Sequence, residues 1–207
     1  MEDVLTIYQK PYNPVEPVIC FDEKAKQLIR DIRARIPCKE GTASKRDYEY
    51  KRNGTRNIFI AVEPKGGYRE AMITNRRTKK DFAHEIERII ALPRYQSASK
   101  IHLVLDNLNT HFAKSFIETF DAEKSRRILD RLAFHYTPKH ASWLNMAEIE
   151  LSILSRQALG GRIPDAGTLA TRIIRRQEKR NHAGATIQWK FTKEDARKIF
   201  KYDKVQN

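Results

Sequence analysis

Two aspartates close two strongly apolar runs of this chain. Val18-Ile19-Cys20-Phe21 runs into Asp22-Glu23-Lys24, and Ile101-His102-Leu103-Val104-Leu105 runs into Asp106. A short apolar run that stops at an acid reads as a buried strand whose carboxyl end opens onto a site. Two such strands side by side would bring two carboxylates together, and an ionised pair at close range persists where a cation neutralises it. No His or Cys cluster accompanies them, so the donors are hard oxygens suited to magnesium or manganese. Two such ions about 3.5–4 Å apart serve phosphodiester chemistry, one at the attacking and one at the leaving oxygen. A third carboxylate is usually needed, and the helical segment 144–159 offers Glu148 and Glu150. At about 100° per residue these two point about 200° apart, so only one can face the strands. Both flank the apolar stripe of Leu144, Ala147, Leu151, Leu154 and Ala158, which favours Glu148 only slightly. Taken singly, an aspartate at a strand end is more often a turn former or a helix cap.

The elements that must position these residues follow from periodicity. Residues 1–16, with Pro11 and Pro14 and then Pro17, read as an extended arm or linker remnant. Beyond the first strand, residues 25–46 are basic and mixed, with weak helical character over Lys26–Arg33. Tyr48-Glu49-Tyr50, a tight turn at Asn53-Gly54, Asn57–Val62, a second turn at Pro64-Lys65-Gly66-Gly67 and Tyr68–Thr74 read as an antiparallel meander. Thr78 is placed to cap a helix through Arg94, with Phe82, Ile86, Ile89 and Ile90 at helical spacing and Pro93 limiting its end. Helical pieces over 111–132 meet at a cap, Asp121, and Ala133-Phe134-His135-Tyr136 is a short strand. Gly160-Gly161 ends the helix 144–159. A helix over 165–183 is basic at Arg172, Arg175, Arg176, Lys179 and Arg180, and Lys193–Lys201 forms a last short one. The order predicts an α/β fold, a mixed sheet with helices packed against it. Residues 17–164 would form its body and 165–207 a basic helical extension.

Composition narrows the class of partner. Of 207 residues, 40 are Lys or Arg and 26 Asp or Glu, a formal net charge of +14. A surplus that large on a small domain is what phosphate contacts require. The 40% hydrophobic share supports a core. Cys20 and Cys38 make no disulfide framework, and Cys20 reads as a buried small hydrophobe. Met1–Asn13 lacks the apolar stretch of a signal peptide, and no run approaches the roughly 20 apolar residues of a membrane span. A soluble, intracellular protein with no membrane partner is expected.

Two longer blocks carry a resemblance. Val104-Leu105-Asp106-Asn107-Leu108-Asn109-Thr110-His111, and the run from His135-Tyr136-Thr137-Pro138-Lys139-His140 through Ala141-Ser142-Trp143-Leu144-Asn145-Met146-Ala147-Glu148, resemble the bacterial insertion-sequence transposases of the Tc/mariner-related group. Cys20-Phe21-Asp22-Glu23-Lys24, Arg52-Asn53-Gly54-Thr55 and Arg76-Arg77-Thr78 are similar to the same family, so the likeness runs from about Pro17 to Lys198. It implies an RNase H-like mixed sheet flanked by helices, the catalytic domain of a DDE endonuclease. The implied catalytic residues and metal ligands are Asp22, Asp106 and Glu148; the frame Leu144-Asn145-x-x-Glu148 selects Glu148 over Glu150. The implied cofactor is a pair of Mg2+ ions, with Mn2+ able to substitute. The implied reaction cuts DNA at element ends, frees a 3′-hydroxyl and transfers it into target DNA at a TA dinucleotide, in the bacterial cytoplasm at the nucleoid. Two departures stand out. The interval between Asp106 and Glu148 is longer than in the eukaryotic relatives, with 112–132 holding the extra length. Relatives also carry helix-turn-helix modules ahead of the catalytic domain, whereas this chain opens almost at the first catalytic strand. End recognition is therefore expected from a separate upstream chain of a split or frameshifted gene, or to be lost in a truncated copy. A homo-oligomer on paired ends is the family expectation.

Further DNA contacts are expected around this set. Asn109 and His111 would orient the site, touch DNA or cap a helix; Lys139 and His140 would meet phosphate. Trp143 either stacks on a base or joins the core. Arg172 and Arg176, with the other cations of their helix, either track a DNA backbone or form a solvated face. Two other functions fit the same residues: a different RNase H-like nuclease of the resolvase type, and an inactive DNA-binding remnant.

Overall fold

The computed structural model describes residues 1–201. A five-stranded sheet in the order β3-β2-β1-β4-β5 organises them. Its strands are β1 (Val18–Asp31), β2 (Tyr50–Glu63), β3 (Tyr68–Thr74), β4 (Ile101–Leu105) and β5 (Leu132–Tyr136). The pairs β1–β2 and β2–β3 are antiparallel, whereas β1–β4 and β4–β5 are parallel. Helices α1 (Glu2–Gln9), α2 (Lys79–Ile90), α3 (Lys114–Ile117), α4 (Ala122–Asp130), α5 (Met146–Gln157), α6 (Ala166–His182) and α7 (Lys193–Phe200) complete the chain. Among the described residues, no helix is long and apolar enough to cross a membrane.

The central strands are covered on both faces, which is why they read as unbroken apolar runs rather than alternating ones. Ile19, Phe21, Phe59, Leu103 and Leu105 pack with Phe82, Ile86, Phe116 and Ile128 on the side of α2, α3 and α4. Their neighbours Cys20, Ile60 and Val104 point the other way, onto Met146, Ala147 and Leu151 of α5 and Val4 and Ile7 of α1. Further along that second face, Leu28 and Ile58 meet Leu154, Leu169 and Ile173 of α5 and α6. Strand alternation therefore puts Asp22 on the face of Cys20 and Asp106 on the face of Val104, both toward α5.

Several local expectations are corrected. Residues 1–16 are not an extended arm throughout: Glu2–Gln9 is helical and buries Val4, Leu5, Ile7 and Tyr8. Their helical spacing and the first-turn acids Glu2 and Asp3 explain the helix, and the prolines begin only after it. Lys26–Arg33 is not helical, because β1 continues to Asp31 with β2 as its backbone partner. Asn53-Gly54 is not a hairpin turn. Strand β2 runs through it, and Gly54, at φ +81°, sits where the register with β1 shifts opposite Leu28, a bulge that only a residue at ease with positive φ fills without strain. The β1–β2 connection is instead the segment 32–49, braced by bridges Ile36–Lys45 and Lys39–Thr42.

The turn after β2 falls where expected. At its Gly67, φ is +65° and a Cβ would stand 2.6 Å from the Gly184 carbonyl oxygen. Thr78 and Asp81 form a reciprocal capping box on α2, which stops at Ile90 rather than Arg94; a 3-10 turn at Pro93–Tyr95 follows. Asp121 caps α4 as expected, accepting from the Lys124 N–H. The last helix spans Lys193–Phe200, and residues 202–207 of the expected C-terminal extension lie outside the described residues.

Candidate metal centre

Parallel pairing of β1 with β4 sets Cys20 opposite Val104. Two residues beyond that pair come Asp22, within β1, and Asp106, just past the end of β4. Glu148 comes to the same place from above, in the first turn of α5, and shares with Asp22 a cleft of about 450 Å³ also lined by Lys24, Ser152, Ser155 and Arg156. The carboxylates feel one another. Burial raises the Asp22 pKa, the Glu23 N–H donated to its Oδ1 (2.7 Å) opposes, and the charges of Glu23, Asp106 and Glu148 push up again, to about 7.

One side chain fixes α5 over β1. Asn145, 1% exposed, accepts from the Ala147 N–H (3.1 Å) as the helix cap and donates from Nδ2 to the Phe21 carbonyl (2.8 Å), next to Asp22. Tyr8 adds a second tie by donating to the Leu144 carbonyl (2.8 Å). Cys20 is buried beneath the start of α5, and burial, opposed by hydrogen bonds from Tyr8, Met146 and Ala147, pushes its thiol up to about 12.

Asp106 is held differently. Its Oδ1 accepts from His111 Nδ1 (2.6 Å) and from the Leu108 N–H (3.1 Å). The other ring nitrogen of His111 lies 3.1 Å from Glu23 Oε2, and Glu23 Oε1 lies 3.6 Å from Arg77 Nη1. Glu23 points to the opposite face from Asp22, and His111 packs there against Phe82 at 4.8 Å between ring centroids. Burial works against a charge on His111, yet Asp106 and Glu23 outweigh it and raise its pKa to about 9. The charged imidazolium is thus favoured, hydrogen-bonded to Asp106 through Nδ1 and ion-paired with Glu23 on its other side. For Asp106, burial would raise the pKa, but the His111 hydrogen bond and charge bring it below its ordinary value.

Glu150 takes no part in this cluster. It is 3% exposed and bound by Arg69 Nε (2.9 Å) and by Arg180 through Nη2 (2.8 Å) and Nε (3.1 Å). That ion cluster ties α5 to β3 and α6, on the far side of the helix from Glu148. Among the described residues, no three His, Cys, Asp or Glu side chains close around a single point as they stand. The donor set, three carboxylates and no sulfur or imidazole facing the cleft, suits a hard divalent ion.

Asn109, Lys139 and His140 are exposed, as a DNA contact requires. His111, at 1% exposure, faces Asp106 and Glu23 rather than the surface, which fits the expectation that it orients the site more than a DNA contact. Arg172 spends Nη1 on the Gly160 carbonyl (3.0 Å) beyond the end of α5, while Arg176 lines a separate basic groove. Trp143 is 42% exposed and stacked on Trp189, at the surface rather than in the core. Glu23, Arg77 and Asn145 were not singled out for any role from sequence. Asn145 had a legible signal, an Asn just ahead of a helical stripe; the role of Glu23 depends on the loop after β4, which no local pattern near Glu23 announces.

A family model described as DDE superfamily endonuclease matches residues 17–170. The chain belongs to the DDE superfamily endonucleases. The matched span holds Asp22, Asp106 and Glu148. No curated protein matches this DDE endonuclease. Among solved structures, the Mos1 mariner paired end complex with Mn is similar at 14% identity and a TM-score of 0.53, over 88% of this chain and 55% of that chain. The Mos1 Strand Transfer Complex aligns at 13% identity and a TM-score of 0.49, over 88% of this chain and 58% of that one. The DDE endonuclease chain thus spans little more than half the length of the mariner protein it matches. The first likeness establishes its fold, an RNase H-like mixed sheet flanked by helices.

Proposed function

We propose that this chain is the catalytic domain of a transposase, cutting DNA at the ends of a mobile element and joining the freed 3′-hydroxyl to target DNA. The observation that carries the reading is the pairing of neighbouring strands β1 and β4, which run on from Cys20 and Val104 to Asp22 and Asp106, with Glu148 near enough to raise the proton affinity of Asp22. Membership of the DDE endonucleases supports it, as does the fold likeness to the Mos1 paired end complex with Mn. Asp22, Asp106 and Glu148 would hold two Mg2+ ions, or Mn2+ in their place. When bound, such ions activate the attacking oxygen and stabilise the leaving oxygen of an in-line displacement at phosphorus.

The chain's own residues prepare that site. His111 and Glu23 fix the rotamer of Asp106. Asn145 fixes the height of Glu148 above Asp22. Asn109, Lys139 and His140 stand on exposed loops near the carboxyl ends of β4 and β5, where they would meet the sugar-phosphate backbone. Cleavage and joining are both displacements at phosphorus, so one site serves both and no covalent protein–DNA intermediate is needed. A homo-oligomer would hold two element ends together.

The test is nicking of supercoiled DNA with Mg2+ or Mn2+ by wild type and by Asp22→Asn, Asp106→Asn and Glu148→Gln. Cutting should vanish in each variant while DNA binding is kept or tightened, since each removes a negative charge beside the phosphate. Cutting that survives in Asp106→Asn overturns the reading.

A further inference from the structure

The cleft that holds Asp22 and Glu148 does not end at the carboxylates. It continues along α5 past Ser152, Ser155 and Arg156, and where that helix stops a second groove of about 520 Å³ begins, lined by Gln157, Ala158, Arg172, Arg175, Arg176 and Lys179. Four of those six residues are cations and none is an acid. Glu178, the one acid of α6, is absent from the lining.

Several cations elsewhere in this protein are neutralised. Arg69 and Arg180 bind Glu150, Arg88 binds Glu70, Arg94 binds Glu63, and Arg162 binds Asp31. Among the described residues, Arg156, Arg172, Arg175, Arg176 and Lys179 form no ion pair. Part of the cluster has an internal duty: Arg172 caps the Gly160 carbonyl, as Lys26 caps that of Leu159 (2.7 Å) at the same helix end. Arg175 and Lys179 have none and are exposed, and the Nε of Arg176 is buried without a hydrogen-bond partner in the protein. Unpaired cations repel one another, so their gathering in one groove is stabilised by an anion with several charges.

We infer that this groove is a lane for the phosphate backbone of duplex DNA leading away from the metal site, on the α6 side of the molecule. The inference rests on the transposase reading and adds the path of the substrate to it. From Glu148 to Ala158 the helix rises about 15 Å at about 1.5 Å per residue. That length equals about four base pairs at about 3.4 Å each, so the groove meets backbone about four base pairs from the phosphate that is cut. Arg175 and Lys179, one helical turn apart, face neighbouring positions along it.

The experiment compares three full-length proteins: wild type, Arg175→Gln with Lys179→Gln, and Arg126→Gln with Arg127→Gln. The last pair is equally exposed but sits on α4, across the sheet. Anisotropy of a labelled duplex of arbitrary sequence is followed against salt with Ca2+ present, and nicking is then measured with Mn2+. Melting temperatures check that all three fold alike. The α6 variant should bind on the order of tenfold or more weakly at low salt, and the magnitude of its log–log salt slope should fall by about two. The α4 variant should bind and nick as wild type does. Wild-type affinity and slope in the α6 variant, or an equal loss in the α4 variant, overturns the lane. Neither result touches the metal site, whose own failure would show as cutting by Asp106→Asn.

Discussion

His111 stands between two carboxylates, its Nδ1 2.6 Å from Asp106 Oδ1 and its Nε2 3.1 Å from Glu23 Oε2. The hydrogen bond at Nδ1 fixes the Asp106 rotamer, while the ring's other side meets the Glu23 carboxylate. His111 and Glu23 are buried and Asp106 is 35% exposed, so losing the imidazolium alone should cost more than losing it together with the Glu23 charge. Replacing His111 with Ala leaves Glu23, whose side chain is 3% exposed, without its partner and should destabilise the fold by about 3–5 kcal/mol. Adding Glu23→Gln should recover much of that in a thermal melt. Metal-dependent nicking should remain down by roughly 10–100-fold in both proteins. Recovery of activity along with stability would show that His111 serves packing alone.

Asp22 makes the metal-free protein sensitive to pH. Its folded pKa of about 7 lies above the unfolded value of about 3.9. The folded state therefore binds more protons than the unfolded state between those values, and stability falls as pH rises from about 4 to about 7. With EDTA present, the melting temperature of wild type should decline across that window more steeply than that of Asp22→Asn. Mg2+ should raise it most above pH 7, where the carboxylate is ionised. Parallel melting curves for the two proteins would refute the placement of Asp22 among the other acids.

Glu148 and Glu150 should separate cleanly by assay. Glu150→Gln strips charge from a carboxylate that neutralises Arg69 and Arg180, and should lower stability by about 3–5 kcal/mol. Glu148→Gln relieves repulsion at the cleft, so its melting temperature should hold or rise while nicking disappears. Denaturant titration with a nicking assay on each variant reads both effects.

Asn145 joins a cap to a tether. Asn145→Ser keeps an acceptor for the Ala147 N–H but cannot reach the Phe21 carbonyl, leaving that buried group unpaired at about 1–3 kcal/mol. Activity should fall further than stability, because Glu148 loses its fixed height over Asp22. Equal melting and equal nicking would show that packing of α5 suffices.

The two thiols should differ in reactivity. Cys20 is buried with its thiol raised to about 12, whereas Cys38 is exposed. An alkylating reagent on native protein near pH 8 should add one label per chain, at Cys38, and two after denaturation, read by mass spectrometry.

Much of this was legible in one dimension. The apolar runs before Asp22 and Asp106 announced two central strands because burial on both faces demands continuous apolar sequence, and that demand is local; yet β1 runs on to Asp31, so only Asp106 closes its strand. Capping residues Thr78 and Asp121 announced their helices for the same reason. The reading failed at Lys26–Arg33 and at Asn53-Gly54, where weak local preference was overridden by the partner strand across a long β1–β2 hairpin. It failed also at Glu2–Gln9, whose short helix is held by the core it covers.

The sequence by itself determined which residues could bind a hard cation and that the surface is strongly basic, because residue type and net charge are properties of the chain. Only the tertiary structure decided which acids stand together. Spacing left Glu148 and Glu150 nearly equal, and their roles separate because Arg69 and Arg180 arrive from β3 and α6 to claim one of them. Likewise, nothing near Asp106 in sequence says that Glu23 will reach His111 through the sheet. Register and packing across distant segments fix such pairings, and no local pattern encodes them.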